Sequence, residues 1–109
     1  MAESAAKRFL AIVQFRSDST PTRIRDDAPT IIGFIKRISN GEHELAFRSP
    51  DGLFFGDFIK TDQPPRTFQS DFMGCTGSRD GDGFLLFEVG VFITATGPMS
   101  RAGVWLQRH

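Results

Sequence analysis

The chain has no tyrosine, a single cysteine and no excess of either charge: 13 Lys and Arg stand against 13 Asp and Glu in 109 residues. Each scarcity excludes something. Without tyrosine no phenol is on hand as acid, base or nucleophile, and the aromatic content, 12 Phe and one Trp, is almost wholly apolar. One cysteine, Cys75, rules out an intrachain disulfide and a multi-cysteine zinc site, which fits a reducing, cytoplasmic setting. Zero net charge means that no global field draws the chain to nucleic acid or anionic lipid. The longest apolar run, Phe9 to Val13, falls far short of the roughly 20 residues that span a bilayer. The first eight residues, which include Glu3, lead directly into a strand-like run, and that is not the pattern of a signal peptide. No membrane partner is therefore expected.

What is present reads as one α+β domain over 1–109, with residues 1–6 a disordered or fraying start. Phe9 to Phe15 is near-continuously apolar and predicts a central strand buried on both faces. Arg16 to Arg25 reads as a polar loop. A helix follows, with Asp26 or Asp27 as its cap and Pro29 in its first turn. Ile31, Phe34, Ile35 and Ile38 form its apolar stripe, Lys36 and Arg37 suit its last turn, and Asn40-Gly41 closes it. Glu42 to Arg48 and Leu53 to Lys60 predict a hairpin around the Ser49-Pro50-Asp51-Gly52 turn. Pro64-Pro65 opens a short helix through Met73, with Phe68 and Phe72 on one face. After a glycine-rich connection, Phe84 to Val89 predicts a fourth strand, extending as far as Thr94 before Gly97-Pro98 breaks it. Met99, Ala102 and Leu106 mark a C-terminal helix with Trp105 beside the stripe. The order β-α-β-β-α-β-α predicts a ferredoxin-like four-stranded antiparallel sheet, two helices on one face and an extra C-terminal helix.

In that arrangement one sheet face is left open. Leu53, Phe55, Asp57 and Ile59 alternate with Phe54, Gly56, Phe58 and Lys60, so both faces of the third strand carry large apolar groups. An exposed set of phenylalanines marks an interface. Phe54, Phe55, Phe58 and Trp105 are the candidates, to be covered by the C-terminal segment, by a second copy, or by stacked nucleic-acid bases.

The polar candidates are fewer. Arg16, Arg23 and Arg25, set among Ser17, Ser19, Thr20 and Thr22, suit a phosphate or other anion. The competing reading pairs these arginines with Asp18, Asp26 or Asp27 in a solvated loop. Asp18 is a candidate ligand for a hard metal ion, or simply a turn-capping carboxylate. Arg79-Asp80-Gly81-Asp82-Gly83 starts like a calcium loop but has Val91 where the bidentate Glu belongs. Gly74 to Gly77 lacks the Gly-Lys-Ser/Thr ending of a phosphate loop. Cys75 and His43 are the only stock for a thiol–imidazole pair, without spacing to support one. Glu88 sits in an apolar strand and needs Arg48 or Lys60 if it faces inward, or else an edge position.

The first strand (KRFLAIVQF), the late strand opening at Asp82 (DGFLLFEVG) and the C-terminal GVWLQRH resemble small bacterial proteins often labelled SinR-like. Those are related in fold to the small CRISPR-adaptation subunit and to VapD-type ribonucleases. The resemblance implies a ferredoxin-like fold and a homodimer. Nuclease relatives carry Tyr-Asp or a similar acid at the end of the first strand. Here Phe15-Arg16 stands there and Asp18 is displaced, so no catalytic residue carries over. The expectation is a small, cytoplasmic, non-enzymatic protein without a cofactor, acting by association with itself or another protein. The alternative is a metal-dependent nuclease or a nucleic-acid or phosphate binder using the Arg16–Arg25 loop.

Overall fold

The computed structural model describes residues 6–90 and 100–109 of the chain. The extension of the fourth strand to Thr94, the Gly97-Pro98 break, Met99 and the start over residues 1–5 lie outside them. The elements are β1 (Lys7–Gln14), α1 (Pro21–Ile38), β2 (His43–Arg48), β3 (Phe54–Thr61), α2 (Pro65–Met73), β4 (Gly83–Glu88) and α3 (Ser100–Arg108). They form an α+β fold with one four-stranded sheet in the order β2-β3-β1-β4, every neighbouring pair antiparallel.

The apolar run at the start becomes the inner strand, as its two-sided hydrophobicity predicts. β1 pairs with β3 on one side and β4 on the other. Its odd-numbered residues Phe9, Ala11 and Val13 share one face with Phe55 and Ile59 of β3. That face packs against Ile31, Phe34 and Ile35 of α1 and Phe68 and Phe72 of α2. The core is largely phenylalanine. Phe34 meets Phe68 edge to face, with ring centroids 6.5 Å apart. Phe72 stacks on Phe84 at 4.6 Å. Such pairs add about 1 kcal/mol each beyond the area they bury.

The first helix differs from its sequence reading at one end. It begins at Pro21, so half of the predicted Arg16–Arg25 loop is helical. Thr20 is the cap, its hydroxyl accepting from the Arg23 amide at 3.1 Å, and Pro21 fills the first turn. Asp26 and Asp27 lie inside the helix rather than capping it. Pro29 is an interior proline. It supplies no N–H to the carbonyl of Arg25, which sits on an exposed stretch where water can satisfy it. Two prolines carry the same first-turn signal, and the capping hydroxyl at Thr20 decides between them. The other end is as predicted: Lys36 and Arg37 occupy the last turn, and the Gly41 amide returns to the Lys36 carbonyl at 2.8 Å.

The hairpin turn also follows its residues, with Gly52 at φ +75°. β2 carries a bulge between Leu45 and Phe47, and the Phe47 ring then lies against Gly56 of β3. A Cβ at Gly56 would overlap that ring, so any other residue there must displace it.

α3 lies on the sheet face opposite α1 and α2. Its Arg101 pairs with Glu44 at 2.9 Å, and Glu44 stands opposite Phe58 on that face. Arg8 of β1 donates to the carbonyl of Leu106 at 2.9 Å and also to that of Gly90, tying α3 and the end of β4 to the sheet. Ala102 and Leu106 are buried beneath it, as the apolar stripe predicts. No helix among the described residues is long and apolar enough to cross a membrane.

Candidate functional site

Two places hold the residues that the sequence singles out: the arginine-rich turn after β1, and the sheet face that α3 partly covers.

In the turn, each candidate arginine meets a carboxylate. Arg16 pairs with Asp18 at 2.7 Å, and Arg25 reaches Asp26 at 3.9 Å. Arg23 is the organiser. Its Nε donates to Asp27 at 2.7 Å, and its two terminal nitrogens grip Asp82 at 3.1 and 2.5 Å. The remaining donor capacity goes to Ser19 Oγ and the Gly77 carbonyl. The guanidinium also lies over the Phe15 ring, 4.6 Å from its centroid. Asp82 is equally occupied. Besides Arg23 it accepts from the backbone amides of Arg16 at 3.0 Å and Arg79 at 2.9 Å. Its side chain has no exposed surface. Burial by itself raises a carboxyl's pKa. Here the Arg23 bonds and the two amides outweigh it and hold Asp82 below the usual carboxylate range. Arg79 forms a further ion pair with Asp27 at 3.0 Å.

The cluster thus balances Arg16, Arg23 and Arg79 against Asp18, Asp27 and Asp82. A shallow cavity of about 240 Å³ opens above it, lined by Arg16, Asp18, Ser19, Thr20, Arg23 and Arg79. A phosphate entering there meets an Arg23 whose donors are all engaged. What the arrangement does chemically is to clasp the 74–83 connection onto the start of α1 and the end of β1. The partner Asp82 sits 59 residues from Arg23, so sequence spacing gave no sign of it. Asp18 faces Arg16 and solvent. Among the described residues no three His, Cys, Asp or Glu side chains gather as metal ligands.

On the sheet, Phe55 belongs to the helix-covered face and is 3% exposed. Phe54 and Phe58 lie on the opposite face, as the alternation predicts. Phe58 is half-buried beside α3, and Phe54 is 38% exposed and packs on Phe47 at 5.2 Å. Trp105 is half-buried and stacks on His109. The most exposed large apolar groups on this face are ones that sequence reasoning passed over: Leu85 at 57% and Phe87 at 51%, both on β4. The alternation of Phe84 and Leu86 with Leu85 and Phe87 carried the signal. It says that β4 is apolar on both faces, while α3 contacts the sheet on the β2 side and leaves Leu85 and Phe87 exposed.

β4 is an outer strand. The Val89 amide donates to Arg8 at 2.8 Å, and the ladder alternates from there through Leu10–Phe87 and Ile12–Leu85. Phe84, Leu86 and Glu88 therefore direct their N–H and C=O groups away from β1, toward the outer edge. Among the described residues no strand pairs with that edge. On the helix side the same edge borders a cavity of about 540 Å³ between α2 and β4, with Phe72, Phe84 and the exposed Met73 in its walls.

His43 and Asp57 form a further pair that the sequence did not announce, His43 Nδ1 lying 2.8 Å from a carboxylate oxygen of Asp57. Asp57 is buried on the helix-covered face, opposite Ala11. Burial pushes its carboxyl above the usual range, His43 pulls it back, and Glu44 adds to the rise. With His43 engaged by Asp57, a pairing with Cys75 has no support. Glu88 takes the edge position, paired with Lys7 at 3.4 Å rather than with Arg48 or Lys60.

No family model, curated protein or solved structure matches the chain.

Proposed function

We propose that this protein is a non-enzymatic, ferredoxin-like module that acts by associating with a second copy of itself. The strand order β2-β3-β1-β4, with α1 and α2 on one face, supports the ferredoxin-like reading. One observation carries the association. After α3 has covered its part of the second face, Leu85, Phe87 and Phe54 remain 38–57% exposed. They stand on a sheet whose outer strand β4 is unpaired among the described residues. Exposed apolar side chains beside backbone groups of an outer strand are costly in water, and association relieves that cost. Zero net charge leaves no self-repulsion to oppose it. The arginine cluster contributes in another way, holding the 74–83 connection in place at the start of β4.

Light scattering on the purified chain over a concentration series tests this reading. A particle of twice the chain mass is expected, dissociating only on dilution. A monomer at every concentration would remove it.

A further inference from the structure

Self-association leaves open which surfaces meet and in what register. We propose, resting on the reading above, that two copies join edge to edge through antiparallel β4 strands. Leu86 then stands opposite Leu86 of the second copy on the two-fold axis, and the two sheets become one continuous sheet.

The two outer strands of the sheet differ in how they are guarded. β2 carries His43, Glu44 and Arg48, is interrupted by a bulge, and has Arg101 of α3 locked onto Glu44. Charges and bulges of this kind keep an edge from pairing with another chain. β4 has no bulge, and its one charge, Glu88, stands at its end. It contains no lysine or proline, and its register with β1 runs unbroken from Gly83 to Glu88. The charges at its two ends are already matched, Glu88 by Lys7 and Asp82 by Arg23. A second copy approaching along β4 meets hydrogen-bonding groups and apolar side chains, with Arg66 of α2 a charged group bordering the helix side.

The same geometry selects the register. In an antiparallel pair the outward groups of one strand must face the outward groups of the other. For β4 these belong to Phe84, Leu86 and Glu88, so a two-fold pairing centres on Leu85, Leu86 or Phe87, and centring on Phe87 leaves Phe84 and Leu85 opposite Gly90 and Val89, beyond the end of β4. Centring on Leu85 sets Phe87 against Gly83 of the second copy and Asp82 against its Glu88, wasting an aromatic and opposing two acids. Centring on Leu86 engages every residue from Phe84 to Glu88. It places Leu85 directly opposite Phe87 of the second copy, and Phe87 opposite its Leu85. Those are the two most exposed apolar side chains of this face, and they meet at non-hydrogen-bonded positions, where side chains approach most closely. On the helix side, Phe84 faces Glu88 of the second copy, and the cavity between α2 and β4 with Met73 borders the junction.

Disulfide trapping tests the register. Leu85→Cys and Phe87→Cys chains, each also carrying Cys75→Ala, are oxidised separately and as an equal mixture, with light scattering of the uncross-linked samples alongside. The mixture is expected to yield cross-linked pairs well in excess of either variant alone. Leu85→Lys, at an exposed position that the protomer fold tolerates, is expected to lose the dimer while keeping the circular dichroism of the parent chain. A dimer whose mixture cross-links no better than the single variants, or one that survives Leu85→Lys, overturns the β4 pairing and leaves self-association standing. A parent chain that is monomeric throughout overturns both.

Discussion

Asp82 accepts hydrogen bonds from the Arg23 guanidinium and from two backbone amides, with no side-chain surface left for water. Removing either member strands the other. Asp82→Ala and Arg23→Ala are each expected to cost about 3 kcal/mol in denaturant unfolding, the range for breaking a buried pair from one side. A loss of phosphate affinity without loss of stability would instead make Arg23 a ligand-binding group. The depressed Asp82 pKa also sets a pH dependence. Its stabilisation is fully present above the unfolded carboxylate value of about 3.9 and is lost as pH falls through the lower folded value. The parent chain should therefore lose stability below about pH 4 more steeply than Asp82→Ala does. Asp57 carries the opposite sign. Its folded pKa is raised by burial, so its contribution is most favourable below the unfolded value and declines as pH rises through the folded one. Asp57→Asn, which has no charge to bury and still offers His43 an acceptor, is expected to gain thermal midpoint over the parent between acid and neutral pH. Midpoints of both proteins measured across that range check this; a difference independent of pH would contradict it.

At the scale of elements, the start of α1 rests on the Thr20 hydroxyl. Thr20→Ala is expected to cost about 1 kcal/mol, against little for alanine at Asp26, which caps nothing. Gly56→Val is expected to displace the Phe47 ring and destabilise the β2–β3 hairpin. Most elements could be read directly from residues. β1 announced itself by the unbroken apolar run from Phe9 to Val13, the hairpin by Ser49-Pro50-Asp51-Gly52, α2 by Pro64-Pro65 followed by Phe68 and Phe72, and the end of α1 by its basic turn and Asn40-Gly41. The start of α1 was misread because Pro29 carries a local first-turn signal that a single interior proline can mimic when its freed carbonyl faces solvent. The arginine cluster was half legible. Acids close in sequence were visible as partners, while Asp82 depends on the folded chain bringing β4 beside β1. The exposed edge was legible only as a surplus of phenylalanine. Which strand lies outermost is decided by topology, and that converts the apolar alternation of β4 from a core signal into a surface one.

For the molecule as a whole, phenylalanine is divided between two layers. Phe9, Phe15, Phe34, Phe55, Phe68 and Phe72 fill the core beneath α1 and α2, while Phe47, Phe54, Phe58 and Phe87 face the other way. α3 shields the β2–β3 side of that second layer and is held by Arg8 and Arg101. Arg8→Ala is expected to loosen α3 and speed hydrogen exchange over its residues while leaving the core of β1 protected. Beyond α3 no element among the described residues covers the β4 side, and there a second copy has both an outer edge and an apolar surface to bury. The most direct measurement is the solution mass of the parent chain beside that of Leu85→Lys, by light scattering at matched concentrations. Self-association through β4 predicts twice the chain mass for the parent and a single chain mass for the variant. Equal masses for the two proteins would contradict it.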